Sequence, residues 1–527
     1  MVPIWVNGRI LCRRNRCNQC VSAPEFVPIH YDCYQIFRGN VDLDESEALD
    51  LLWMIGSWRN PWPRAQPIYL CNAIDKLGLK RVSEISGLSD LCRLPPELVG
   101  MIRDLSPHQL FWRSIFVMSL SSKIPQFRPF SRSPLSKILS WERGASPVLT
   151  SSVPPPPPPL IRLTIDVHGI SKIERMHDRP VYSNRIMKQS AFIIEHIRDV
   201  SKIHVEFKGD FIRLRLSENQ TSLYIWDTCS PPSLSSCGFL DPAALRSHIS
   251  SRLYVRDLGR SRGITFFFAS GQLFGIYIHL TENSCAMDTY ERISIHRRQR
   301  TVWAYMPIAP LDRLIGLGYR KTDVGFNILV SYIQMSLAGE VIIGRSENRP
   351  GKHFILGSGT SLALVYGEPQ ELQPISIFGA YPSPGSDIPS FAVQGFEPDR
   401  EGAYFSWAPL NHIQSVSTFY DGDTRLCKGI IFQYRNGGSR ALGQCRLNVD
   451  QSTMVIKPRV LCFQSTSSTS AGRPRRHGVR VEVTGNDAHE HSNSGWKCVP
   501  LGNGVLTFSF TEDSSYISLR EEPSMTA

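Results

Sequence analysis

Beyond Leu160 the chain stops repeating at helical spacing, and its apolar runs become short. LIRLTIDV (160–167), IHVEFKGDFIRLRL (203–216), the runs 223–226, 264–268 and 274–280, and later runs within 326–343, 354–366, 430–434 and 505–510 are rich in β-branched or aromatic residues and bounded by Gly, Asn, Asp or Ser. Side chains of a strand alternate faces at every second residue, so segments of this length and composition read as strands. Almost no long 3.6-period segment separates them. The expected fold class is therefore α+β multidomain: a small helical N-terminal module followed by a large all-β region of sandwich or barrel type over 160–520.

One internal likeness suggests how that region reaches its length. GITFFFASGQLFGIYIHL (263–280) aligns with GIIFQYRNGGSRALGQCRL (429–447) as a Gly-Ile-x-Phe strand, a Gly-containing turn and a second strand carrying Gly275 or Gly443. Two related β units are the expectation, with recognition placed in their loops.

Ahead of the β region, Leu91 to Leu120 has a pattern that implies a partner. Pro95 and Pro96 suit a first helical turn, whose N–H groups have no acceptor in any case, and Glu97 complements the positive helix end. Leu98, Met101, Ile102 and Leu105 recur at i, i+3, i+4 and i+7, which is one apolar helical face. Ser106-Pro107 ends that helix, and Leu110, Phe111, Ser114, Ile115, Phe116 and Met118 begin a second.

Leu94-Pro95, Glu97-Leu98, Ile102 and Leu105 resemble the opening of an F-box, the short helical motif by which substrate receptors dock on the Skp-type adaptor of cullin-RING (SCF) ubiquitin ligases. With a Cys/His-rich segment before it and a long β-rich region after it, the whole chain resembles a group of F-box-like proteins from filamentous fungi. The resemblance implies a non-enzymatic adaptor that docks through Leu94, Pro95, Leu98, Ile102, Leu105 and Leu110, while the β region recognises a protein or glycan. The pattern departs from a full F-box after Leu120, where Ser121 to Pro125 stands in place of a further helix. From the residues alone, the same helices could serve only the fold, leaving a lectin-like or protein-binding β module. A glycoside-active β fold is the remaining alternative.

The flanking segments have their own signatures. Cys12, Cys17, Cys20, His30 and Cys33 follow one another as C-x4-C-x2-C-x9-H-x2-C. Four of these five could close a tetrahedral, structural zinc site, and Arg9, Arg13, Arg14 and Arg16 alongside would favour thiolates; ordinary buried thiols are the alternative. Asp42 to Trp58 reads as an acid-capped amphipathic helix, with Trp53, Trp58 and Trp62 packing this module (1–85) against the F-box-like helices (86–125). Residues 126–159 are Pro- and Ser-rich and end in six prolines, which predicts an extended spacer. Residues 464–480, Ser/Thr-rich and then Arg-rich, predict a disordered surface loop.

Catalytic motifs fail on spacing. Gly351-Lys352 lacks the Ser/Thr of a phosphate loop, His489-Glu490-His491 lacks the i, i+4 pair of a helical zinc motif, and there is no G-x-S-x-G. The expectation is no enzyme. With 58 basic against 47 acidic residues over 527, a net charge of +11 favours weak anion affinity without a dedicated nucleic-acid surface. The N-terminus shows no secretory h-region, so a cytoplasmic or nuclear compartment is expected, with the 13 cysteines largely reduced. The longest apolar run, 264–280, is broken by Ser270-Gly271-Gln272, and no membrane span is expected.

Overall fold

A computed structural model describes residues 4–6, 9–11, 25–63, 65, 68, 70, 74–106, 109–122, 130–150, 156–217, 223–243, 245, 252–322, 330–345, 351–359, 361–384, 400, 402–468, 476–491 and 494–520. The chain is mostly β with a small helical N-terminal part, and among the described residues the strands form several open sheets and no closed barrel. It divides into two compact units, Met1–Pro231 with His248–Leu253, and Pro232–Ser247 with Tyr254–Ala527.

Among its described residues the first unit carries five α-helices: α1 (Tyr31–Gly39), α2 (Glu45–Trp58), α3 (Lys76–Ile85), α4 (Pro96–Leu105) and α5 (Leu110–Ser122). The acids ahead of α2 act as expected. Asp44 accepts the Glu47 N–H at 2.7 Å while the Glu47 carboxylate accepts the Asp44 N–H at 3.2 Å, a capping box worth about 1 kcal/mol. Phe37, Leu51, Met54 and Trp58 then pack with Val117 of α5. A separate core joins Leu79 and Val82 of α3 to Ile115 and Met118 of α5, and α4 contributes Val99 to it.

Among the strands that follow are β1 (Ser131–Pro134), β2 (Ile138–Glu142), β3 (Leu160–Asp166), β4 (Gly169–Met176), β5 (Ala191–His196), β6 (His204–Lys208) and β7 (Phe211–Arg215). They pair antiparallel in the order β5-β3-β4-β2 and, in a second sheet, β7-β6-β1. Along β3 burial alternates residue by residue, with Ile161, Leu163 and Ile165 on the core side, as its period of two requires.

Two expectations change here. The spacer expected over 126–159 is partly folded, because β1 and β2 lie inside it and Leu135, Ile138 and Trp141 enter the sheet core. An apolar residue every third position was hidden there by the Pro/Ser-rich composition. Trp62 joins that same β core and belongs to neither helical core.

In the second unit, β8 (Gly263–Ala269) and β9 (Gln272–His279) form the first of the two similar hairpins, with β10 (Thr301–Pro307) on the other edge of β8. Further on come β11 (Ile413–Tyr420), β12 (Cys427–Tyr434), β13 (Ser439–Gly443), β14 (Val460–Ser468), β15 (Arg476–Thr484) and β16 (Lys497–Pro500). Phe266, Phe268, Phe432 and Phe508 are wholly buried in one large core to which several sheets contribute.

The hairpins form, but their likeness does not extend to their surroundings. The outer partner of β8 is the strand that follows the hairpin, whereas the outer partner of β12 is β11, which precedes it. Gly275 pairs with Phe267 and Gly443 with Gly429, so the aligned glycines occupy different registers. Gly263 and Gly429 share a cause of another kind. A Cβ would lie 2.5 Å from the Tyr305 hydroxyl at the first and 2.6 Å from Cys445 Sγ at the second, so close packing, not common descent of a unit, suffices to explain glycine at both.

The loop expected over 464–480 is also shorter. β14 and β15 pair without a register shift from Val460↔Thr484 to Ser468↔Arg476, which leaves 469–475 outside the described residues.

Candidate functional site

The helix that resembles an F-box opening is built as its sequence suggests and oriented as a core helix would not be. Pro96 lies in the first turn of α4 and Glu97 beside it. Leu98, Met101, Ile102 and Leu105, the whole i, i+3, i+4, i+7 face, are 45, 59, 38 and 86 % exposed, while Val99 alone in the helix is buried. Leu94, Pro95 and Leu110 flank this face and are exposed too. An apolar stripe turned to water in this way is a liability in a free chain and an asset in a docked one. α3 and α5 hold the helix from behind, through Val99 packed near Leu79, Val82 and Ile115.

A second constellation lies in the sheet β15-β14-β16. Cys462 of β14 and Cys498 of β16 are direct antiparallel partners, and the segment between β15 and β16 brings His489 and His491 over them. His489 Nε2 lies 2.9 Å from Cys462 Sγ and 3.2 Å from Cys498 Sγ, and His491 Nε2 lies 3.2 Å from Cys498 Sγ. All four donor atoms fall within 4.8 Å of one another. The other ring nitrogens are occupied: His491 Nδ1 faces the Glu482 carboxylate at 3.3 Å and His489 Nδ1 faces the Asp487 carbonyl at 3.4 Å. Such partners hold an imidazole with Nε2 forward. Trp496 stacks on the His491 ring at 4.4 Å and 8°, fixing its plane. Burial, the neighbouring Cys498 and the Glu482 carboxylate push the Cys462 thiol up to about 12.

Of the N-terminal metal candidates, Cys12, Cys17 and Cys20 lie outside the described residues. His30 is the exposed residue ahead of α1, and Cys33 is buried beside Phe37 in the α1–α2 core, where burial raises its thiol pKa. The sequence reading missed the C-terminal set because it tested His489-Glu490-His491 against a helical zinc motif. On an extended segment, residues two apart face the same way, so His-x-His followed by Trp496-Lys497-Cys498 was the available signal.

Among the described residues no helix is long and apolar enough to cross a membrane. No protein-family model matches the chain, and no curated protein does either.

Proposed function

We propose that the protein is a non-enzymatic, F-box-like adaptor: the solvent-facing stripe of α4 docks the Skp-type subunit of an SCF ubiquitin ligase, and the β-rich part recognises a protein or glycan. The observation that supports this reading is the exposure of Leu98, Met101, Ile102 and Leu105 together on one helical face, where a helix serving only the fold would have buried them. Leu94, Pro95 and Leu110 extend the docking surface at its two ends. The fold class assigned with this reading is a sheet-on-sheet sandwich in the β-rich part, supported by the large core to which several sheets of the second unit contribute.

Helix-in-groove recognition draws its energy from a few apolar anchors that leave water together, each worth roughly 1–3 kcal/mol when buried. The test is capture of recombinant Skp-type adaptor by the full chain. Replacing Leu94, Leu98 and Ile102 by Asp should abolish capture while the circular dichroism of the chain stays unchanged. Absence of capture by the unsubstituted protein would remove the adaptor role and leave a β-domain binding protein.

A further inference from the structure

We propose that Cys462, His489, His491 and Cys498 bind one Zn²⁺ in a closed tetrahedral site that ties the histidine-bearing segment to the sheet β15-β14-β16. This goes beyond the docking role, and neither depends on the other. Three observations carry it. The donor set is two sulfurs and two imidazole nitrogens, which suits zinc and excludes Mg²⁺ or Ca²⁺ as the preferred ion. Four donors from three places in the chain converge within 4.8 Å, and this is the one such group among the described residues. Both imidazoles are already oriented, with a carboxylate or carbonyl behind Nδ1 and the free Nε2 aimed at the sulfurs.

The geometry is close to what the ion needs. With Zn–S near 2.3 Å and Zn–N near 2.0 Å, a tetrahedron sets each sulfur–nitrogen pair about 3.5 Å apart. The separations of 2.9 and 3.2 Å are short of that by a few tenths of an ångström, within the reach of side-chain torsions and without moving either strand. Binding replaces the thiol protons of Cys462 and Cys498 by the metal, so two protons leave and two thiolates offset the charge of the cation. Four protein ligands leave no position for a reacting water, and the role is structural.

The alternative is a cluster of thiol–imidazole hydrogen bonds with no ion. The full chain, loaded with Zn²⁺ and dialysed to remove loosely held metal, distinguishes the two. Cys462→Ser with Cys498→Ser should lower bound zinc by one equivalent relative to the parent; equal metal content in the two proteins overturns the proposal. Because a buried cysteine pair can also matter for folding, His491→Ala is the second variant. It should keep the parent's far-ultraviolet circular dichroism and bind Zn²⁺ at least about tenfold more weakly. Unchanged affinity overturns the proposal. Co²⁺ in place of zinc should give the visible bands of a tetrahedral ion and sulfur charge-transfer absorption that disappears in the double cysteine variant; an octahedral spectrum would also contradict it.

Discussion

Cys462 and Cys498 stand directly opposite one another on adjacent antiparallel strands, so both side chains leave the same face of the sheet. Their neighbours Leu461 and Val499 are likewise paired and point to the other face, where Leu461 and Val499 belong to the main core. One side of this strand pair therefore serves the hydrophobic core and the other side serves the histidines.

That division makes the two thiols chemically distinguishable from the rest. With zinc bound, exposed Cys498 should resist alkylation, and chelation should make it reactive. Exposed Cys92 should react in both states, and buried Cys427 and Cys445 in neither. Peptide mass spectrometry of alkylated protein measures this, and equal labelling of Cys498 with and without chelator would contradict the site.

On α4, neighbouring positions should respond oppositely to the same change. Leu105 is 86 % exposed, so Leu105→Asp should alter unfolding free energy by less than about 0.5 kcal/mol. Val99 is buried among Leu79, Val82 and Ile115, and Val99→Asp should cost roughly 3 kcal/mol or more, through loss of apolar burial and burial of a carboxylate. Urea denaturation of the two variants decides whether the exposed face is free of structural duty.

Glu195, on β5, is partly buried. Burial pushes its carboxyl up to about 7, with Arg179 opposing and Asp199 adding to the shift. The folded chain thus keeps a proton that the unfolded chain releases near pH 4.5. The stability this contributes is fully present below about pH 4.5 and is lost as the pH rises through about 7. Glu195→Gln should remove that loss and be the more stable protein above pH 7. Urea midpoints that run parallel for variant and parent from pH 5 to 8 would contradict it.

Arg440 is buried and donates through Nε and Nη2 to the Ala338 carbonyl at 2.8 and 2.6 Å, with its guanidinium 3.9 Å from the Trp407 ring centroid. A lysine has neither the fork nor the plane. Arg440→Lys should destabilise the second unit by about 2 kcal/mol or more, measured by urea denaturation.

How much of this was legible in the sequence depended on range. The capping box of α2, the Pro96 start of α4 and the alternation along β3 are set by residues within a few positions of one another, and each was readable. The partnership of Leu135, Ile138 and Trp141 with β3 and β4 was not, since composition averaged over the segment concealed three core residues. The similar hairpins misled because glycine was required twice for local packing against Tyr305 and Cys445. The four-residue cluster was hardest, because Cys462 and His489 are joined only by the pairing of β14 with its neighbours, and no local pattern encodes that register.

For α4 the sequence pointed to a partner through the likeness of Leu94 to Leu105 to an F-box opening, while the helical spacing alone left a fold-only helix open, because an apolar stripe has the same period whether it faces a core or a partner. Hydrogen–deuterium exchange of the full chain, with and without saturating Skp-type adaptor, tests the docking role most directly. The expected result is added protection concentrated in residues 94–110, with the strands of both units unchanged. Protection confined to the β sheets, or none anywhere despite binding conditions that saturate a known F-box protein, would contradict it.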